Sequence, residues 1–238
     1  MTPHSLPNSA AAGRLFIVST PIGNLDDITL RALKVLKSVD LIACEDTRET
    51  RKLTAHFGID RPLTSFFVGN EKGKAPRLVE RLKEGQSIAL VTESGTPGLS
   101  DPGYSIVHGA LEAGITVEAV PGPSALLAAL VSSGAPMEEF IFFGFLPPKG
   151  KKREDRMQEA LGCGRTAVLY ESCHRFLRLL KELLELGGNR FIMVCRELTK
   201  HFEEVRRAPV EDHIRHFEEH EPRGEFVIVI PKPGKDTA

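Results

Sequence analysis

The sequence has few aromatic residues and no large excess of either charge. Its 238 residues include no tryptophan and two tyrosines, and the formal net charge is −1. A nearly neutral chain has no global positive field, so nucleic-acid binding would have to rely on a local basic patch. No apolar run approaches the roughly 20 residues of a membrane-spanning helix. The composition is ordinary for a soluble globular protein, with no membrane as partner.

Cysteine is scarce as well, and its spacing argues against disulfides. The four cysteines form no CxxC pair, so we expect reduced, buried thiols in a cytoplasmic protein. Residues 1–13 lack the charged flank and apolar core of a signal peptide, and we expect them to form a disordered leader.

The order of apolar runs predicts an α/β fold with two domains. Short strand-like runs alternate with helical patterns over residues 14–122, which favours a parallel sheet of βα units in an N-terminal domain. Residues 123–238 contain longer excursions and hairpin-like returns, which favour a mixed sheet in a C-terminal α/β domain.

Two acidic residues have the sequence context of helix caps. Asp46 begins D-T-R-E, a capping-box-like start for a helix that continues to His56. Asp101 and Pro102 are expected at the cap and first position of a helix that runs to about Glu112.

Three chemically unusual loops follow predicted strands of the first domain. Their sequences are TPIGNLDD (20–27), ESGTPGLSD (93–101) and PGPSA (121–125). Ligands of open parallel sheets bind outside the carboxyl ends of the strands, and glycine lets backbone approach a ligand closely. None of the loops is GxGxxG or GxxxxGK[ST]. The residues alone therefore indicate a small amphiphilic cofactor, although each loop by itself could be only a turn.

Several segments carry a family resemblance. They are TPIGNLDDITLRALKVLKSVDLIACEDTRETRKL, GTPGLSDPG, VPGPSA, GFLPPKGKKR, YESCHR and RELTK, in this order from residue 15 to about 230. With them the sequence resembles the tetrapyrrole-methylase-like superfamily of S-adenosylmethionine-dependent enzymes, and within it the ribosomal RNA small-subunit methyltransferase I group. The resemblance implies the two-domain tetrapyrrole-methylase-like fold, S-adenosylmethionine as co-substrate, no metal and a homodimer.

The resemblance also implies an activity and a set of site residues. The activity is 2′-O-methylation of a cytidine ribose in small-subunit (16S) ribosomal RNA, either naked or in the assembled subunit. The implied cofactor-binding residues are Gly95, Thr96, Pro97, Ser124, Ala125, Tyr170 and Leu198.

A general base would take the ribose hydroxyl proton during methyl transfer. The acidic candidates near the loops are Glu93 and Asp101, together with Glu45, Asp46 and Glu197. Asp46 and Asp101 have alternative roles as helix caps, and Glu93 could be a solvated loop acid. The sequence does not choose among them.

A basic segment predicts RNA contact. We expect Lys149, Lys151, Lys152 and Arg153 to bind phosphates, with Arg175 extending this surface. The alternative is a solvated charged loop. His213, His216 and His220 have spacing that could bind zinc, but no fourth ligand is evident, so a solvated helix face is expected instead.

The family pattern is not matched everywhere. Family members often have an acid–small pair where this chain has Glu93-Ser94, and a histidine-rich segment where it has FFVGNEKG (66–73). Many members also continue with a further segment beyond the position of FVIVI (226–230). Two alternative functions stay open on the sequence. One is methylation of a corrin or porphyrin precursor, and the other is a non-catalytic module that binds the cofactor or RNA.

Overall fold

A computed structural model describes residues 13–232, which divide into two compact units between Pro123 and Ser124. The sequence-based boundary lies one residue earlier, after residue 122. The predicted leader falls mainly on residues 1–12, which lie outside the described residues. Gly13 is described, and its buried amide donates to the Leu82 carbonyl at 2.9 Å.

The first unit alternates strands and helices. Its strands are β1 (Arg14–Val18), β2 (Leu41–Cys44), β3 (Leu63–Ser65), β4 (Ile88–Leu90) and β5 (Thr116–Val120). Its α-helices are α1 (Leu30–Ser38), α2 (Thr47–His56), α3 (Glu71–Lys83) and α4 (Tyr104–Glu112), and Leu25–Asp27 form a short 3-10 helix.

The five strands form one parallel sheet in the order β3-β2-β4-β1-β5, which confirms the predicted parallel sheet. Both faces of the sheet are covered. Leu41 and Leu90 face a cluster that contains residues of α3 and α4, whereas Ile42 and Val91 face a cluster that contains residues of α1. The strands therefore have the continuous apolar character typical of doubly covered parallel sheets.

One of the two predicted caps is confirmed and the other is wrong. The Asp46 carboxylate accepts the Arg48 amide at 2.7 Å and caps α2. Asp101 is not the N-cap residue of α4, because this helix begins only at Tyr104, after Gly103. Gly103 is the residue that directly precedes the helix, so Asp101 lies in the loop after β4.

The second unit contains a mixed sheet, as predicted. Its strands are β6 (Phe140–Phe145), β7 (Thr166–Ser172), β8 (Phe191–Arg196), β9 (Glu204–Pro209) and β10 (Glu225–Ile230). They are ordered β6-β7-β10-β8-β9, with only β6 and β7 parallel. Its helices are α5 (Ala125–Ser133), α6 (Lys151–Gly162), α7 (Cys173–Gly187) and α8 (Val210–Glu219).

The core of the second unit is built on one face of this sheet. Apolar residues of α6, α7 and α8 pack there against the strands. The Phe176 and Phe226 rings stack with centroids 3.9 Å apart. Helix α5 contacts β8, β9 and β10. The four cysteines are free thiols, as expected. Cys44 and Cys195 are buried, whereas Cys163 and Cys173 are only half-buried.

Candidate functional site

The three predicted ligand loops meet at one edge of the first sheet. They follow β4, β1 and β5, which are adjacent, and the carboxyl ends of parallel strands lie at the same edge. The Thr20 amide donates to the Gly95 carbonyl at 2.9 Å, and the Gly95 amide donates to the Thr20 carbonyl at 3.1 Å. The first and second loops are therefore joined by a two-way backbone bridge.

Side-chain hydroxyls connect the second loop to the other two. The Thr96 hydroxyl donates to the Pro123 carbonyl at 3.2 Å and lies 2.8 Å from the Ser19 hydroxyl. Because Thr96 has one hydroxyl hydrogen, Ser19 is the donor in the second contact. These bonds produce a pre-organised rim, which reduces the ordering cost of binding a ligand. We call the hydrogen-bonded loops 19–22, 92–97 and 121–123 the rim.

Glycine is required at two positions of the rim for different reasons. Gly95 has φ of 88°, a conformation that costs other residues free energy. A Cβ atom on Gly122 would lie 3.0 Å from the Ser19 Cβ atom. Both positions therefore keep backbone close to backbone, and the predicted residues Gly95, Thr96 and Pro97 belong to this rim.

In the second unit, Ser124, Ala125 and Tyr170 come together at the start of α5. Ser124 is the N-cap residue of this helix, yet its buried Oγ atom has no hydrogen-bond partner among the described residues. The Leu126 amide donates to the Tyr170 hydroxyl at 2.9 Å. Tyr170 thus satisfies one of the amides that Ser124 would otherwise cap.

Leu198 lies in a different part of the second unit, in the turn that follows β8. It is buried, and its neighbours Glu197 and Thr199 have φ of 50° and 66°. Left-handed non-glycine residues are uncommon and tend to occur at functional positions. The turn is held by Glu197, which accepts the Lys200 ammonium at 2.8 Å and the Glu225 amide at 3.0 Å.

The acidic candidates differ in how well each could accept a proton. Hydrogen bonds from Arg48 lower the pKa of Asp46 to about 2, so this carboxylate is a weak base. Burial raises the pKa of Glu197, but bonds from Lys200 and the Glu225 amide outweigh it and the pKa is lowered. Both side chains therefore have structural roles.

Glu45 has the opposite environment. Burial raises its pKa, the charge of Asp101 raises it further, and a hydrogen bond involving Thr92 partly opposes both effects. Glu45 and Asp101 thus interact at the carboxyl ends of β2 and β4. The pKa of Arg48 is raised mainly by Asp46 and, to a smaller extent, by the negative charge of Glu93. Glu93 therefore lies near the start of α2. Sequence reasoning included Glu45 among the candidates but had no signal to select it.

Arg153 does not lie on an exposed basic loop, as its predicted RNA-binding role assumes. Helix α6 begins at Lys151, so Arg153 lies in its first turn rather than in a loop. The side chain is 2% exposed, and its guanidinium pairs with Glu182 at 2.7 Å and Glu171 at 3.3 Å. A phosphate cannot reach it without breaking this network. The signal was present in the sequence, because Arg153, Met157 and Ala160 share the buried face of α6.

Among the other predicted RNA contacts, the lysines are more accessible than the arginine. Lys149 and Lys152 are exposed, whereas Lys151 pairs with Asp155 at 3.2 Å and Glu154 at 3.6 Å. Arg175 pairs with the buried Glu171 at 2.6 Å and donates to the Leu146 carbonyl at 3.2 Å. Arg175 therefore has a structural role whatever else it contacts.

The histidines of α8 do not form the solvated face that was expected. His213 is fully buried, with Nε2 3.3 Å from the Ile192 carbonyl oxygen. No group of three or more histidine, cysteine or acidic residues within 13–232 is arranged to hold a metal ion. Within the same residues, no helix is both long and apolar enough to cross a bilayer.

Comparison with solved structures identifies proteins of the same fold. The methyltransferase CobJ superposes with a TM-score of 0.68 at 21% identity, covering 93% of this chain and 95% of that one. Diphthine synthase superposes with a TM-score of 0.70 at 14% identity, covering 92% and 89%. At these identities the likeness shows the fold alone.

Sequence comparison is more specific. Residues 14–213 match the family model of Tetrapyrrole (Corrin/Porphyrin) Methylases. Ribosomal RNA small subunit methyltransferase I of Escherichia coli O157:H7 is 47% identical over 221 residues, covering 92% of this chain and 77% of that protein. The protein of the same name from Thermotoga maritima is 45% identical over 218 residues, covering 92% and 98%. The chain therefore belongs to the tetrapyrrole methylase family, and within it to the ribosomal RNA small subunit methyltransferase I group.

Proposed function

We propose that this protein transfers a methyl group from S-adenosylmethionine to the 2′-oxygen of a cytidine ribose in small-subunit (16S) ribosomal RNA. The observation that carries the proposal is the rim, where the loops that bear the family motifs are hydrogen-bonded at one sheet edge. The names of the relatives supply the ribosomal RNA as acceptor class. The methylated atom, the 2′-oxygen, and the nucleotide, a cytidine, are proposed from the family resemblance and are not stated in those names.

The residues of the rim fit the methyl donor. Gly95, Thr96 and Pro97 present backbone polar groups suited to its amino-acid end, and nearby oxygens favour its sulfonium. At the start of α5, the buried Ser124 Oγ atom lacks a partner within the described residues, and Ala125 and Tyr170 adjoin it. Leu198, in the turn after β8, is assigned to the cofactor by the family resemblance. No metal enters this proposal.

Transfer is an in-line displacement. The ribose oxygen forms a bond to the methyl carbon while the carbon–sulfur bond breaks, and S-adenosylhomocysteine leaves as a neutral thioether. The hydroxyl proton passes to a carboxylate or to water. Glu93 and Asp101 are the proposed acids, and Glu45 joins them because burial and Asp101 raise its pKa. A base with a raised pKa accepts a proton more readily near neutral pH.

The proposed partner is small-subunit ribosomal RNA, naked or in the assembled subunit, bound in part by Lys149, Lys151 and Lys152. We also propose that the protein works in the cytoplasm as a homodimer. The composition and the family resemblance support these points.

The decisive experiment supplies labelled S-adenosylmethionine with three acceptors in parallel: small ribosomal subunits, deproteinised 16S RNA and a corrin precursor. Label recovered as 2′-O-methylcytidine is the expected result. Label only in the corrin would instead assign methylation of a tetrapyrrole. Donor binding without transfer to any acceptor would favour a non-catalytic binding module.

A further inference from the structure

Two large apolar side chains are exposed directly after β3. Phe66 is buried in the core, whereas Phe67 is 42% exposed and Val68 is 74% exposed. They belong to residues 66–70, which we call the Phe67 tip. An aromatic ring in this position lacks the burial that normally stabilises phenylalanine in a folded protein.

The Phe67 tip is held in one conformation by Asn70. The Asn70 side-chain oxygen accepts the Phe67 amide at 2.9 Å, and the amides of Asn70 and Glu71 both donate to the Phe67 carbonyl at 2.9 Å. A Cβ atom on Gly69 would lie 2.7 Å from the Phe67 ring, so the ring lies directly against the backbone. A ring fixed in this way loses little conformational entropy when it binds a ligand.

Positive charge adjoins the Phe67 tip. The Lys74 ammonium lies 3.3 Å from the Ser65 hydroxyl, and the Arg51 side chain is exposed on α2. Burial raises the pKa of the Cys44 thiol, and the charges of Lys74 and Arg51 both oppose that rise. Both cations therefore act at the carboxyl end of β2. The charge of Asp46 acts on the same thiol in the opposite sense, although its carboxylate is paired with Arg48 at 2.7 Å.

The Phe67 tip lies at the same sheet edge as the rim. Strand β3 is two positions from β4 in the sheet, which corresponds to roughly 10 Å at the usual spacing of strands. A nucleotide chain whose ribose is at the rim can therefore place a neighbouring base at the Phe67 tip.

We propose that the Phe67 ring stacks on an unpaired base of the acceptor RNA, next to the methylated nucleotide, and that Lys74 and Arg51 bind its phosphates. An aromatic ring flanked by cations is the arrangement by which proteins hold single-stranded nucleic acid. The inference rests on the proposed function and extends it, because it names the surface of the first unit that receives the RNA.

The test measures RNA affinity separately from donor affinity. We expect Phe67→Ala to weaken binding of a single-stranded fragment of 16S RNA about tenfold, since one stacked base contributes about that factor. Phe67→Tyr should retain wild-type affinity. Leu111→Ala is the matched control, because Leu111 is 60% exposed but lies at the end of α4, near the opposite sheet edge. The affinity for S-adenosylmethionine should stay unchanged in all three variants.

A second pair of variants tests the charge. Lys74→Ala and Lys83→Ala alter the first turn and the last residue of the same helix, α3. We expect only Lys74→Ala to reduce the salt dependence of RNA binding, by about 0.7 in the slope of log K against log salt. Leu111→Ala and Lys83→Ala should match the wild type.

The outcomes separate this inference from the proposed function. Wild-type affinity and methylation in Phe67→Ala would overturn the inference and leave the function intact. Loss of self-association in Phe67→Ala, with RNA affinity unchanged, would overturn it in favour of a protein interface. Failure of the wild-type protein to methylate or bind any RNA would refute the proposed function itself.

Discussion

Lys152 and Arg153 are adjacent in sequence and carry the same charge, but only Lys152 is exposed to solvent. Arg153 is enclosed by Glu171, Glu182 and the Pro147 carbonyl. Such a network is costly to break, because removing one partner leaves the other charge buried.

Arg153→Met should therefore lower stability rather than RNA affinity alone. We expect a loss of about 3 kcal/mol in the free energy of unfolding, at the low end for buried pairs because Arg175 still pairs with Glu171. Lys152→Met is the matched control and should change stability by no more than about 0.5 kcal/mol. Urea unfolding measures both. Full stability of Arg153→Met with a loss of RNA binding would show that this guanidinium reaches RNA after all.

His213 predicts a pH dependence of stability. Burial lowers its pKa below the ordinary value of 6.5, the bond to the Ile192 carbonyl opposes the shift, and Arg206 adds to it. As the pH falls through 6.5, the unfolded chain gains a proton that the folded protein does not. The free energy of unfolding should therefore decrease at acidic pH.

The matched comparison is between His213→Leu and His108→Leu, since the His108 side chain is 51% exposed on α4. The readout is the midpoint of unfolding, measured between about pH 7.5 and about pH 5. This range brackets the unperturbed pKa of histidine. We expect His213→Leu to flatten the decline and His108→Leu to retain it. Equal declines in both variants would assign the effect to other groups.

At the scale of elements, the rim depends on hydroxyl and carbonyl groups from three connections of the sheet. Thr96 is central to it, because its hydroxyl accepts from Ser19 and donates to Pro123. The backbone bridge between Thr20 and Gly95 would persist without the hydroxyl. The Thr96 side chain therefore adjusts the relative position of the loops, whereas the backbone bridge holds two of them together.

Thr96→Val keeps the size of the side chain and removes its hydroxyl. We expect S-adenosylmethionine to bind about tenfold more weakly, because the loss of a connected hydrogen bond costs about 1.5 kcal/mol. The unfolding midpoint should fall as well, because both hydrogen bonds of this hydroxyl lie within the folded first unit. Thr116→Val, at the opposite end of β5, is the control. Calorimetric titration with the donor decides, and equal affinities in the two variants would remove Thr96 from the cofactor site.

At the scale of the whole molecule, the net charge of −1 means that RNA binding depends on local cations. With three or four phosphate contacts, the slope of log K against log salt should be about −2 to −3 for single-stranded RNA. Affinity measured between low and moderate salt tests this. A much steeper slope would require basic residues beyond the lysines and arginine named above.

The sequence by itself determined much of the architecture. Alternating apolar runs predicted the parallel sheet and the later mixed sheet, because helices and strands have different side-chain periods. The Asp46 cap was also predictable, since it depends on residues within one helical turn. The family motifs led to the membership that the relatives confirm.

Only the tertiary structure decided which of several similar residues share an environment. The charges of Arg153 and Lys152 are the same in sequence, and burial against Glu171 and Glu182 separates them. Helix α4 begins at Tyr104 rather than directly after Asp101, and Asp101 instead interacts with Glu45. Such outcomes depend on contacts between residues far apart in the chain, which local patterns do not encode.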